Sequence, residues 1–139
     1  MKRHAMPLDQ LNNVIELKRE YGKELIMKHA ALLPAANVVR SFYSKKPLAL
    51  GTGSHRAMTE ILLDKFDFEK YFSAIITAED IQNHKPAPDT FLRCFELIKV
   101  KPQRCLVFED GDLGIQAGLR AGMDVFDVRV NKLLRDTSC

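Results

Sequence analysis

Cysteine is scarce in this chain: Cys94, Cys105 and Cys139 are the only three in 139 residues. The number is odd and no Cys-x-x-Cys pair occurs, which excludes a paired-cysteine scaffold and predicts free thiols in a reducing cytoplasm. Long apolar runs are missing as well. None approaches the roughly 20 residues that a membrane-spanning helix needs, so no membrane role is expected. The N-terminal stretch "MKRHAMPLDQLNN" starts basic, but no apolar segment follows, and no signal peptide is expected. Nor is there a dense basic block interleaved with aromatics. Lys and Arg are scattered, the net charge is only +3, and a nucleic-acid partner is not expected. Internal repeats and low-complexity segments are absent. The nucleotide-binding pattern Gly-x-x-x-x-Gly-Lys-Ser/Thr and the zinc pattern His-Glu-x-x-His are both absent. What remains, 46% hydrophobic and 28% charged, is the composition of one ordinary globular domain.

The chain divides into an all-helical stretch and an alternating one. "LDQLNNVIELKREYGKELIMKHAALL" spaces Leu11, Ile15, Leu17, Leu25, Ile26 and Leu32 in a mixed helical pattern, with Gly22 as a break or a weak point. A soft boundary falls near Pro34. "AANVVRSFYSKK" reads as a further helix. Then "PLALGTGS" is a strand entering a glycine-rich turn, "HRAMTEILLDKF" a helix and "FSAIITAED" a strand. "APDTFLRCFELIKV" is a helix, "RCLVFED" a strand, "LGIQAGLRAG" a helix with Gly122 at its C-cap, and "MDVFDVRV" a last strand. This alternation predicts an α/β fold, a parallel sheet with helices on its faces.

Ligands of open parallel sheets sit beyond the carboxyl ends of the strands. The first strand delivers Gly51-Thr52-Gly53-Ser54, the second Glu79-Asp80 and then His84-Lys85-Pro86, the third Glu109-Asp110-Gly111-Asp112. One sheet edge thus collects hydroxyls, backbone N–H groups, an ammonium and carboxylates, a set suited to a phosphoryl group and Mg²⁺. Mg²⁺ takes one or two carboxylates plus phosphate oxygens and water. Thr52 can donate to a phosphoryl oxygen, and the flanking glycines let N–H groups approach. Lys85 can meet both phosphate and carboxylate. Taken singly, each has a plainer reading. Thr52 is then a turn residue, Lys85 a solvated neighbour of a proline, and Asp112 a first-turn charge on a helix dipole. His55 and His84 are surface or substrate-contact residues rather than zinc ligands, and Cys94 and Cys105 are buried fillers. Glu109-Asp110 resists a plain reading, because adjacent carboxylates after an apolar run are costly unless a cation meets them.

The order "GTGS…HKPAPDTFL…FEDGDLGIQAGLRAGMD" resembles the haloacid dehalogenase superfamily over roughly residues 34–129. Within it the wording is similar to the β-phosphoglucomutase-like branch, of fructose-1-phosphatase and 6-phosphogluconate-phosphatase type. The resemblance implies a Rossmann-like core over residues 34–139 and part of a helical cap over residues 1–33. It implies a Mg²⁺-dependent phosphatase of small sugar phosphates in which a magnesium-bound aspartate attacks the phosphoryl group. Thr52 matches the hydroxyl that holds the phosphoryl, and Lys85 the lysine that offsets the clustered negative charge. Asp110 matches the metal ligand, with Glu109 supporting the metal or its waters. Gly53, Ser54 and His55 match phosphate or substrate contacts.

The family's Asp-x-Asp-Gly-Thr motif, which supplies nucleophile and acid/base on a central first strand, does not occur in these 139 residues. Asp9 is the only aspartate before Asp64, and it follows no apolar strand. The resemblance therefore implies a truncated, inactive phosphatase whose central strand is missing between the strands ending at Thr52 and Asp110. Unpaired strand edges would then invite self-association. Two other readings are a non-catalytic module binding Mg²⁺ and a phosphometabolite, and an interaction protein that accepts a strand on its open sheet.

Overall fold

The computed structural model describes residues 7–32 and 34–135, and Cys139 lies outside them. The chain forms two compact units, one ending at Ala31 and one beginning at Leu32. The first is a single helix, α1 (Leu8–His29), of 22 residues. Gly22 does not interrupt it: one glycine costs only about 1 kcal/mol in a helix, and twenty-one other residues carry the backbone ladder. Ion pairs one turn apart, Arg19–Glu16 and Lys28–Glu24, add a few tenths of a kcal/mol each. No helix among the described residues is long and apolar enough to cross a membrane.

The second unit alternates as predicted. Its elements are α2 (Ala36–Phe42), β1 (Ala49–Gly51), α3 (Arg56–Phe66), β2 (Ala74–Ile76), α4 (Asp89–Ile98), β3 (Leu106–Glu109), α5 (Asp112–Arg120), β4 (Asp124–Asp127) and β5 (Lys132–Leu134). The strands do not form one sheet. β1 pairs in parallel with β2, Gly51 opposite Ile76. β3 pairs in parallel with β4, Glu109 opposite Asp127. Among the described residues β1 and β3 do not pair and no strand lies between them, so each has an open edge there, as the missing central strand led one to expect. The predicted last strand, "MDVFDVRV", is shorter than expected, and a further strand that the sequence did not reveal follows it. β4 stops at Asp127, whose carboxylate accepts hydrogen bonds from the Arg129 backbone and guanidinium. Asn131 then takes a left-handed φ of 52°, and the chain returns as antiparallel β5. Asn tolerates that conformation better than most residues.

One buried cluster of this unit is Phe91, Val107, Ile115, Ala117, Ala121, Met123 and Val125. Val125 is 0% exposed, and burying a side chain of its kind stabilises by roughly 1.5–3 kcal/mol. Gly118 lets α5 lie flat on β4, since a Cβ there would sit 2.6 Å from Val125 Cγ2. Phe91 links the two sheets. It packs in the core with Val107, and it lies 3.5 Å from where a Gly51 Cβ would project. Gly122, one residue beyond the C-cap Ala121, takes φ 77° and ends α5.

Candidate active site

Each strand end delivers its residues by a local cause. Beyond β1 the chain turns through Thr52-Gly53-Ser54-His55, with Thr52 Oγ1 accepting a hydrogen bond from Ser54 N at 3.1 Å. This loop is zipped to the loop beyond β2: Thr52 N donates to Ile76 O at 2.9 Å and Ala78 N to Ser54 O at 3.0 Å. Thr52 is half-buried, whereas Gly53, Ser54 and His55 are exposed.

The loop beyond β2 is a short 3₁₀ turn, Ala78–Asp80, closed by a reciprocal cap between Thr77 and Asp80. Thr77 is fully buried. Its N–H donates to Asp80 Oδ2 at 2.7 Å, and its Oγ1 lies 3.0 Å from Glu79 Oε2 and 2.9 Å from Asp80 Oδ2. Glu79 reaches across to α3. It accepts from Arg56 N at 3.1 and 2.9 Å, and His55 Nδ1 lies 3.2 Å from its Oε1. Asp80 Oδ2 pairs with the Arg56 guanidinium at 2.5 Å. The Thr77 backbone N–H is the first cause holding the Asp80 carboxyl below its usual range. Burial raises the Glu79 carboxyl, but hydrogen bonds from its own and Arg56's backbone N–H, Thr77 and His55 outweigh it, and the group stays below its usual value.

Lys85 and Glu109 meet across the two sheets. Lys85 Nζ donates to Glu109 Oε2 at 2.9 Å, with the two side chains only 18% and 12% exposed. The ammonium also lies 4.8 Å from the Phe91 ring centroid, a favourable cation–π placement. Arg120 of α5 donates to Pro86 O at 3.2 Å and ties this loop to the helix after β3. Gly114 makes room for the pair. A Cβ there would fall 1.4 Å from Glu109 Oε2, so only glycine lets that carboxylate lie over the first turn of α5. Its other oxygen accepts from Asp110 N at 3.3 Å.

Asp110 differs from its neighbour. It is exposed, and among the described residues no hydrogen bond or ion pair engages its carboxylate. Asp112 stands in the first turn of α5 and pairs with Arg129 Nη2 at 2.9 Å. Arg129 also holds Asp127, whose carboxyl stays below its usual range chiefly through that side-chain hydrogen bond. Among the described residues, no three His, Cys, Asp or Glu side chains converge as a metal cluster. A hard cation here would take Asp110 and complete its shell with phosphate oxygens and water, the pattern typical of Mg²⁺. Glu109 already has both oxygens engaged and would act on such an ion through a bridging water.

The remaining expectations resolve plainly. His84 is exposed. Cys94 is buried, and burial pushes its thiol up to about 11, with Lys85 pulling weakly the other way. Cys105 is only partly buried, contrary to expectation, because it caps a 3₁₀ turn just before β3 and donates to Lys101 O. Sequence reasoning missed the clamp of Glu79 on His55 and Arg56, the space at Gly114 and the Arg129 fork. The first two involve partners far apart in sequence or a void. The last had a local signal in "DVR", an aspartate two residues before an arginine at a strand end.

The model of haloacid dehalogenase-like hydrolases matches residues 3–128, and the chain belongs to that family. It is 54% identical over 134 residues to an uncharacterized protein of Haemophilus influenzae, covering 96% of this chain and 67% of that protein. It is 44% identical over 113 residues to fructose-1-phosphate phosphatase YqaB of Escherichia coli, covering 81% and 60%. A third relative is a phosphorylated carbohydrates phosphatase of Thermotoga maritima, 32% identical over 120 residues, covering 84% and 55%. The chain thus spans 55% to 67% of the length of these three relatives. Among solved structures, β-phosphoglucomutase of Clostridium difficile superposes with TM-score 0.76 at 25% identity, over 91% of this chain and 57% of that one. CbbY of Rhodobacter sphaeroides shares the fold, with TM-score 0.77 over 90% of this chain and 58% of that one, at 24% identity.

Proposed function

We propose that this chain carries the phosphate- and Mg²⁺-binding part of a phosphatase for small sugar phosphates of the fructose 1-phosphate kind, and that its 139 residues do not turn substrate over by themselves. The observation that carries the reading is the arrangement at the strand ends: a shielded Lys85–Glu109 pair beside an uncommitted Asp110. The relatives' names support the substrate class. In this reading Thr52 donates its hydroxyl to a phosphoryl oxygen, and Gly53, Ser54 and His55 contact phosphate or sugar. Lys85 offsets the charge that phosphate brings, while Glu109 holds the ammonium in place. Asp110, with Glu109 in support, holds Mg²⁺, which when bound would neutralise phosphoryl charge. Residues 1–33 are part of a helical cap, and the free thiols Cys94 and Cys105 support a place in the cytoplasm.

Turnover through an aspartyl-phosphate needs a carboxylate nucleophile, which Thr52 and Lys85 cannot replace. No Asp-x-Asp-Gly-Thr motif is present to supply it. The test is hydrolysis of para-nitrophenyl phosphate and fructose 1-phosphate, with and without Mg²⁺, beside a chain carrying an added Asp-x-Asp-Gly-Thr strand. Activity only in the extended chain is the expected result. Mg²⁺-dependent turnover by the 139 residues that disappears in Asp110→Ala would overturn the proposed inactivity.

The open edges of β1 and β3 favour one second reading, an interaction protein that takes up a strand from another chain or a second copy. A dimer that dissociates when an edge is blocked would support it. A phosphate-dependent thermal shift without turnover in either chain would instead indicate a phosphometabolite-binding module.

A further inference from the structure

The end of β1 and β2 opposite Thr52 is concave. The two strands run in parallel, so the residues that lead into them, Lys46-Pro47 and Phe72-Ser73, meet at one end, and Thr52 and Thr77 leave at the other. Pro47 and Thr52 lie roughly 16 Å apart along an extended chain. A cleft of about 350 Å³ opens at this end, within the size range of small-ligand sites. Lys45, Lys46 and Lys70 line it together with Tyr43, Tyr71 and Ser44, and no Asp or Glu does. The first two lysines arrive there for a local reason. Ser44 takes a left-handed φ of 64°, uncommon for a residue with a side chain. The next two backbone N–H groups then both donate to Phe42 O, at 2.9 and 3.0 Å. Lys45 and Lys46 are exposed, and among the described residues neither ammonium has a hydrogen bond or ion pair. Lys70 is already committed, paired with Asp67 and 5.4 Å from the Tyr71 ring centroid. Two adjacent positive charges are thus left without a counter-charge. Beside them, Tyr43 and Tyr71 meet edge to face with centroids 5.0 Å apart, and Tyr43 is 47% exposed.

We propose that this cleft is a second ligand site, which binds a phosphomonoester carrying a flat ring, of mononucleotide size, with the phosphoryl group on Lys45 and Lys46 and the ring against Tyr43. A phosphomonoester brings up to two negative charges near neutral pH, which match the two unpaired ammoniums. Lysine meets phosphate as a compact point charge, and a base laid on an aromatic side chain gains a stacking contact. With no carboxylate on its lining, the cleft takes the anion without a metal. That separates it from the strand-end site around Asp110.

The test is titration of the full chain at low salt in EDTA with adenosine monophosphate, ribose 5-phosphate and adenosine, followed by calorimetry and amide NMR shifts. Adenosine monophosphate is expected to bind at least about fivefold more tightly than either fragment. It is expected to move the signals of Tyr43, Lys45 and Lys46 and to leave those of Thr52 and Lys85 in place. Lys45→Gln combined with Lys46→Gln changes two exposed side chains without partners, so the fold is kept. That variant is expected to weaken adenosine monophosphate about tenfold, and Tyr43→Ala to reduce it to the level of ribose 5-phosphate. Raising salt is expected to weaken adenosine monophosphate and leave adenosine unchanged, a readout that needs no variant. Adenosine monophosphate no tighter than ribose 5-phosphate, an unchanged affinity in the double lysine variant, or shifts confined to Thr52 and Lys85 would each overturn the second site. The strand-end site is judged separately, by binding that requires Mg²⁺ and Asp110.

Discussion

The same dipeptide, Glu-Asp, ends two parallel strands of this protein, and the two copies have different fates. Glu79-Asp80, beyond β2, is consumed where it stands. Thr77, His55 and Arg56 engage both carboxylates, and the result is a closed turn that fastens β2 to the start of α3. Glu109-Asp110, at the end of β3, splits its duties. Glu109 turns inward over Gly114 to meet Lys85, and Asp110 stays out in solvent with no partner among the described residues. A carboxylate whose hydrogen bonds are satisfied locally stabilises the fold. One left open beside a neutralised pair is available to a cation. Neighbouring donors decide between these, not the dipeptide.

Breaking the Lys85–Glu109 pair should have the largest effect. Lys85→Met leaves a mostly buried carboxylate unpaired and should cost about 3 kcal/mol in urea unfolding. Combining it with Glu109→Gln should restore much of the loss. A loss below about 1 kcal/mol would mean that solvent reaches the pair and that the two strand ends are more alike than the geometry indicates. Gly114→Ala comes next. The added methyl expels the Glu109 carboxylate, so a cost of about 1–2 kcal/mol is expected, smaller in a Glu109→Ala background. Equal costs in both backgrounds would place the strain in the α5 backbone instead.

At the other strand end, Asp80→Asn should cost about 1 kcal/mol, the usual value of a lost cap. Here pH sharpens the comparison. The Asp80 carboxyl lies below its ordinary value of 3.8 in the folded chain. Its contribution is therefore fully present above the unfolded value and is lost as pH falls through the folded one. Acid unfolding below about pH 4 should be shallower in Asp80→Asn than in the unsubstituted chain. An unchanged slope would remove Asp80 as a source of acid sensitivity. Asp110→Asn should have the smallest effect on stability, within about 0.5 kcal/mol in the absence of metal. It should nonetheless abolish Mg²⁺-induced stabilisation if the open carboxylate is the ligand. A large metal-free loss would show that Asp110 is structural like its counterpart.

How much of this was legible in the sequence depends on the range of the interaction. The alternation of short apolar runs with amphipathic segments fixed the order of β1 through α5, because periodicity is set by neighbours along the chain. The strand-end rule likewise brought Thr52, Lys85, Glu109 and Asp110 into view from sequence order alone. Strand β5 was not legible, because "VRVNKLL" reverses only through Asp127's grip on Arg129 and the left-handed Asn131. The gap between β1 and β3 was legible through the family resemblance, which put a missing strand there, and not through residue spacing, since pairing requires two strands to meet and among the described residues no strand joins β1 to β3.

By itself the sequence determined the α/β class, the sites of turns, the phosphate-suited residues at three strand ends and the absence of an Asp-x-Asp-Gly-Thr nucleophile. These follow from residue identity and local spacing. The tertiary structure decided which carboxylate is spent on the fold and which is left open. It set Lys85 against Glu109 across 24 positions, let Gly114 clear the space for that contact, and turned Glu79 onto His55 and Arg56. Charge partners are chosen by distance in space, and that distance exists only once the helices have packed.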